Sequence, residues 1–211
     1  MRCTGTASCC PAMRVTGHIN STSDGIRRMF SDDLITWHKE ALTGMDRTMI
    51  GHDASYMIAS KFSHWERWAH RDRLPGIHNP GVYALAVSKE DLLGNAFSFL
   101  QNIVYFGMTI SRGGLKARLR QFDNTIAGKE GHGGGQRVRY KYRDYKKLTS
   151  ILFVSVFPIA CDVQSNKPRD LLQMGEVAYL EYYCFAKYAR LYGKLPEFND
   201  KNAPKLRSVR M

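Results

Sequence analysis

A chain of 211 residues is long enough for one good core, or for one core plus an ancillary segment. Its hydrophobic fraction of 44% and aromatic fraction of 11% exclude a disordered chain, and its formal charge of +12 calls for a polyanionic partner. A membrane surface is the weaker candidate: no apolar run approaches the roughly 18–20 residues that span a bilayer, and the C-terminus carries no prenylation box.

Cysteine usage adds a compartment. An odd total of five, without a secretory apolar region, points to a reducing cytoplasm. Cys161 and Cys184 stand in apolar surroundings as small hydrophobes. Cys3, Cys9 and Cys10 crowd the N-terminus without the paired spacing of a zinc site.

In chain order, residues 1–24 are rich in Ser, Thr and Gly and are expected to be flexible. From 25 to 74 the pattern is helical but interrupted, with Ser31-Asp32-Asp33 as a cap and Phe62, Trp65 and Trp68 as later apolar positions, which predicts a helical N-terminal extension. Leu74-Pro75-Gly76 and Asn79-Pro80-Gly81 then punctuate the chain. Residues 82–87 and 103–108 form a natural antiparallel strand pair. Leu115, Leu119, Phe122 and Ile126 share one face of a helix. Residues 128–135 are expected to form a mobile glycine-rich loop, followed by a basic stretch from 137 to 147. Residues 151–159 make the strongest strand and 170–192 the longest helix, stopped by Gly193. This order predicts an α/β (α+β) fold, a small mixed and largely antiparallel three-stranded sheet flanked by helices.

Four side chains invite a chemical reading. At about 100° per residue, Val177, Leu180, Cys184, Tyr188 and Leu191 form one apolar stripe of the long helix. Glu181 falls within that stripe and Glu176 on its flank. An inward carboxylate needs an arginine partner or a hard divalent cation such as Mg²⁺. Arg118 sits at the edge of the Leu115 stripe, where it either grips a phosphate or snorkels over apolar surface, while Lys116 and Arg120 point to solvent. Tyr83 and Tyr105 are strand phenols, each readable as a core tyrosine or as part of a proton-handling site.

Two further segments are informative. Arg137, Arg139, Lys141 and Arg143 alternate with Val138, Tyr140 and Tyr142, as in a surface tracking a phosphate backbone or in a solvated edge strand. The run His132-Gly133-Gly134-Gly135 has the composition of a lipase oxyanion loop, but the Gly-x-Ser-x-Gly elbow that would accompany it is missing. The last stretch, 201–211, is a basic tail.

Taken in order, Gly81-Val82-Tyr83, Tyr105-Phe106-Gly107, Arg118-Leu119-Arg120-Gln121-Phe122, Ala178-Tyr179-Leu180-Glu181 and Pro196-Glu197-Phe198-Asn199 resemble the motifs of the GIY-YIG nuclease superfamily. The resemblance covers residues 75–200 and implies a metal-dependent DNA endonuclease, of a restriction or other type, using one Mg²⁺ or Mn²⁺ per site. It implies that Tyr83 is the general base or positions the attacking water. Tyr105 would orient the nucleophile, Arg118 would hold the scissile phosphate and Glu181 would bind the metal, with Glu176 as the fallback ligand. Gly81, Gly107 and Asn199 would support the site.

This chain departs from the family pattern at Phe106, where isoleucine is usual, and at Phe122, where many members have His or Tyr. The strand connection and the interval from Glu181 to Asn199 are also longer. One metal site per chain means that cutting both strands calls for a homodimer or for two sequential nicks. The alternative expectation is a non-catalytic nucleic-acid-binding module on the same fold.

Overall fold

The computed structural model describes residues 58–129 and 131–201, all of which belong to one unit running from His52 to Met211. The flexible segment expected over 1–24, most of the helical extension over 25–74, Cys3, Cys9 and Cys10, and the tail beyond Lys201 lie outside the described residues.

The sheet has four strands: β1 (Glu66–Arg67), β2 (Gly81–Val87), β3 (Ile103–Thr109) and β4 (Leu152–Pro158). They lie in the order β1-β4-β2-β3, with every neighbouring pair antiparallel. The fold is thus the expected α+β class with one strand more than the three predicted. The extra strand is the two-residue β1, in a stretch read from sequence as helical. Trp65 and Trp68 share a three-residue spacing that looks like one helical face. In the structure Trp65 joins one core and Trp68 the other, because the chain between them is extended and a 3₁₀ turn (Trp68–Arg73) follows.

Alternation along β2 fills both faces. Tyr83 and Leu85 enter one core, while Val82, Ala84 and Ala86 enter the other. The first core is roofed by α1 (Gly114–Ile126), α2 (Gly133–Lys141) and α3 (Tyr145–Ile151), through Leu115, Leu119, Phe122, Val138 and Leu148. The second is covered by α4 (Pro168–Tyr192), through Val177, Leu180, Cys184 and Tyr188. Covering both faces explains why the strands read as near-continuous apolar runs. Leu191, expected in the same stripe, is exposed on the last turn of α4.

Two helix starts depart from expectation. Residues 133–147, predicted as the end of a mobile loop and a basic strand or surface, instead form α2 and the start of α3. Glycine's poor helix propensity hides α2 in the sequence. Glycine is kept there for space: a Cβ at Gly134 would come 2.5 Å from the Tyr105 ring, and one at Gly135 would come 2.9 Å from Thr125. Helix α1 opens on Gly114 at φ +59°, where a Cβ would meet the His78 carbonyl at 2.2 Å. The following N–H groups of Leu115 and Lys116 donate to the carbonyls of Asn79 and Ile77 at 2.9 and 2.7 Å, which ties α1 to the loop before β2.

Candidate active site

Tyr83 and Tyr105 project from neighbouring strands onto the same face of the sheet. Antiparallel register sets Tyr83 opposite Gly107, with Tyr105 its diagonal neighbour and the two ring centroids 6.0 Å apart. The Tyr83 ring occupies the space a side chain at Gly107 would need: a Cβ there would stand 2.5 Å from the Tyr83 hydroxyl oxygen and 2.8 Å from the Tyr105 ring. Gly107 is therefore a steric requirement of the tyrosine pair. Gly81 opens β2 against β4, where a Cβ would reach 2.2 Å from the Phe157 carbonyl oxygen.

Arg118 reaches the tyrosines from the half-buried flank of α1. Its Nη1 donates to Gln121 Oε1 at 2.8 Å, and Gln121 Nε2 donates in turn to the Gly131 carbonyl at 3.0 Å. The Arg118 Nε is buried with no hydrogen-bond partner. Arg71 and Arg137 share this feature, so the guanidinium's suitability for phosphate rests on its planar charge and forked donors.

Glu181 comes from the opposite layer and joins the group around the edge of β3. The outward-facing backbone groups of that edge recur at every second residue. The Val104 carbonyl accepts from the Phe198 N–H at 3.0 Å. Both polar groups of Phe106 are closed by the Asn199 side chain, and the Met108 N–H at the next outward step pulls the Glu181 pKa down. Asn199 thus holds one step of this strand edge, and the Met108 N–H that acts on Glu181 is the next.

The electrostatics bind these side chains into one cluster. Burial raises the Tyr83 hydroxyl well above its ordinary 10 and the neighbouring Tyr105 adds to the rise, while the Arg118 charge opposes it. Tyr105 is raised in the same way by burial, and is pulled back by the Arg118 charge. Burial also raises Glu181, against the pull of Arg118 and of the Met108 N–H.

The Glu181 carboxylate suits a hard cation. It is half-buried, and among the described residues it has no ion pair within 4.0 Å. No group of three or more His, Cys, Asp or Glu able to hold a metal occurs among those residues. A cation at Glu181 would have one protein carboxylate and complete its shell with water and phosphate oxygens, a coordination Mg²⁺ accepts readily. Glu176 is exposed on the flank of α4 and has no place in the cluster.

His132 is the member that the tripeptide motifs do not reveal. It is 2% exposed, and its Nε2 lies 3.1 Å from the Tyr83 hydroxyl. Its Nδ1 accepts the Gly135 N–H at 3.1 Å as the N-cap of α2, and its own N–H donates to Thr125 Oγ1 at 3.0 Å. The ring packs edge-on against Phe122, centroids 5.1 Å apart, and against Tyr105 at 5.7 Å. Phe122, at the position where many members of the resembled family have His or Tyr, is thus the wall that seats the His132 ring. Burial, with Arg118 and then Arg137 adding like charge, lowers the His132 pKa from 6.5 to about 3. No local signal marks the residue, since histidine is not among the favoured N-caps.

The basic residues divide. Lys116 and Arg120 are exposed on α1, and Arg143 is exposed past the end of α2. Arg137 Nη1 donates to the Phe198 carbonyl at 3.3 Å while its Nε is buried without a partner, and its charge acts on Tyr105. Arg139 Nη1 donates to the Gly128 carbonyl at 3.0 Å, and Lys141 pairs with Glu197 at 2.7 Å. The comb of cations expected from alternation does not form, because helical geometry turns these residues to different flanks.

No family model matches this chain, and no curated protein or solved structure matches it either. No helix among the described residues is long and apolar enough to cross a membrane.

Proposed function

We propose that the chain is a metal-dependent DNA endonuclease that hydrolyses phosphodiester bonds with Tyr83, Tyr105, Arg118 and Glu181. The observation that carries the reading is their electrostatic coupling beside the β3 edge of the sheet: two hydroxyls, a guanidinium with an unused donor, and a carboxylate without an ion-pair partner among the described residues. The net charge of +12 supplies the attraction that a polyanionic substrate needs.

Each side chain has a task within its chemistry. Arg118 holds the scissile phosphate and stabilises the charge that develops on its oxygens. Tyr83, a neutral phenol in the resting site because its hydroxyl is raised, orients the attacking water through an oxygen lone pair rather than removing a proton as a standing phenolate. Tyr105 fixes the phosphate from the other side of Gly107. Glu181 holds the Mg²⁺ or Mn²⁺, which supplies Lewis-acid stabilisation of the phosphate when bound.

The test is nicking of supercoiled plasmid in Mg²⁺ by wild type, Arg118→Ala and Glu181→Gln. Wild type is expected to cut, with each variant slower by roughly a hundredfold or more, as for loss of a group that stabilises a transition state. Wild type that binds DNA and leaves it intact across metals and pH would establish the alternative, a binding module on the same fold.

A further inference from the structure

We propose that His132 is the positioning residue of Tyr83: its imidazole, held as the Nε2–H tautomer by the first turn of α2, donates to the Tyr83 hydroxyl oxygen and turns the phenolic proton away from the imidazole. The consequence for cleavage rests on the endonuclease reading above; the hydrogen bond itself does not.

The direction of the bond follows from counting donors. A backbone N–H can only donate, so the Gly135 N–H occupies the lone pair of Nδ1 at 3.1 Å. A neutral imidazole with a bare Nδ1 carries its one proton on Nε2, the atom 3.1 Å from the Tyr83 hydroxyl. That hydroxyl therefore accepts from His132, and its own proton must point elsewhere. Tyr105 is the neighbouring phenol on that face, its ring centroid 6.0 Å from that of Tyr83. The result is a directed chain from the Gly135 N–H through His132 to the Tyr83 hydroxyl oxygen.

The surroundings hold the ring neutral. Arg118 on α1 and Arg137 on α2 both face it with positive charge, Tyr83 and Tyr105 face it from the sheet, and among the described residues no carboxylate pairs with it. Phe122 and Tyr105 fix the ring plane, and Thr125 fixes the backbone of the residue. An imidazole in this setting cannot take the Tyr83 proton without giving up its cap on Gly135. It acts as a fixed donor to that oxygen.

A plain N-cap would account for Nδ1 and leave Nε2 irrelevant, so the two roles are separable by substitution. In His132→Asn the side-chain oxygen stands in for Nδ1 and keeps the cap, while the side chain stops short of Tyr83. In His132→Gln the amide N–H reaches the position of Nε2 and restores the donor. Full-length protein with ¹⁵N-labelled histidine, followed from about pH 5 to about pH 8, reads the tautomer directly. The expected result is a protonated Nε2 and a bare Nδ1 throughout, with the Nε2 resonance shifted in Tyr83→Phe. In plasmid nicking, His132→Asn is expected to lower kcat about tenfold with KM little changed, and His132→Gln to stay within about threefold of wild type.

A proton on Nδ1, an imidazole that titrates above pH 5, or an Nε2 resonance blind to Tyr83→Phe would overturn the proposal. So would a folded His132→Asn that nicks as fast as wild type. If wild type does not nick at all, the endonuclease reading falls, and the spectra alone decide the hydrogen bond.

Discussion

The side-chain amide of Asn199 closes both backbone polar groups of Phe106, donating from Nδ2 to the carbonyl at 2.7 Å and accepting the N–H on Oδ1 at 2.8 Å. It takes the place of a fifth strand along the edge of β3, two residues from Met108, whose N–H acts on the Glu181 carboxylate. Asn199→Ala removes both bonds at once. It is expected to cost about 1–3 kcal/mol in chemical denaturation. Nicking is expected to fall by more than that stability loss explains, since the edge that acts on Glu181 loosens. Unchanged unfolding would show that water replaces the amide without cost.

Gly107→Ala and Gly134→Ala test the space beneath the tyrosines. Each added methyl would lie 2.5 Å from a ring or hydroxyl atom, of Tyr83 at Gly107 and of Tyr105 at Gly134. Overpacking of this kind costs about 1–3 kcal/mol, and the displaced atoms here are those of the site. Both variants are expected to remain folded by circular dichroism, to melt lower and to lose cleavage. A variant that cuts normally would mean the ring beside it is packing only.

Two carboxylates on opposite sides of the sheet should respond in opposite ways. Asp123 is fully engaged: its Oδ1 accepts from Trp68 Nε1 at 2.7 Å and from the Tyr145 hydroxyl at 3.0 Å, and its Oδ2 pairs with Arg71 at 2.9 Å. Removing it in Asp123→Ala strands three donors and is expected to cost about 3–5 kcal/mol. Glu181 is raised by burial, so its charge opposes folding once the pH exceeds its folded pKa. Glu181→Gln is therefore expected to melt at or above wild type at pH 8 in chelator, and to lose the thermal shift that Mg²⁺ gives wild type. Equal Mg²⁺ shifts in the two proteins would remove Glu181 as the ligand.

His132 makes stability depend on pH with a definite sign. Its folded pKa, about 3, lies below the 6.5 of the unfolded chain, so the unfolded state takes up a proton first as the pH falls. Its contribution is fully present above pH 6.5 and is lost progressively down to about pH 3, with a limit of about 5 kcal/mol. Glu181 works in the reverse sense at the acid end of this window, since its raised pKa favours the folded state when protonated. His132→Asn is expected to flatten the fall in melting temperature between pH 7 and pH 5. An equally steep fall in the variant would assign the acid sensitivity to other groups.

The strands 82–87, 103–108 and 151–159 were legible as short, near-continuous apolar runs, and the helices around Leu115 and Val177 because they repeat their apolar residues at the helical period of 3.6. That same helical period marks Glu181 as a charge on an inward face and Arg118 as a charge at an edge, and the structure brings both to the tyrosines. Helix α2 and strand β1 were not legible. Three glycines conceal the first, because their reason for being there is the bulk of Tyr105 and Thr125, which arrive from other elements. A three-residue spacing conceals the second, because Trp65 and Trp68 go to opposite faces.

His132 belongs wholly to the tertiary level. Its neighbours in sequence are glycines, and its chemistry comes from Tyr83, forty-nine residues away, and from the wall made by Phe122. Local pattern reports which face of an element a residue occupies, since that depends on backbone period alone. Which groups share a proton depends on how faces from β2, β3, α1 and α2 are brought together, and burial then sets the charge each group can hold.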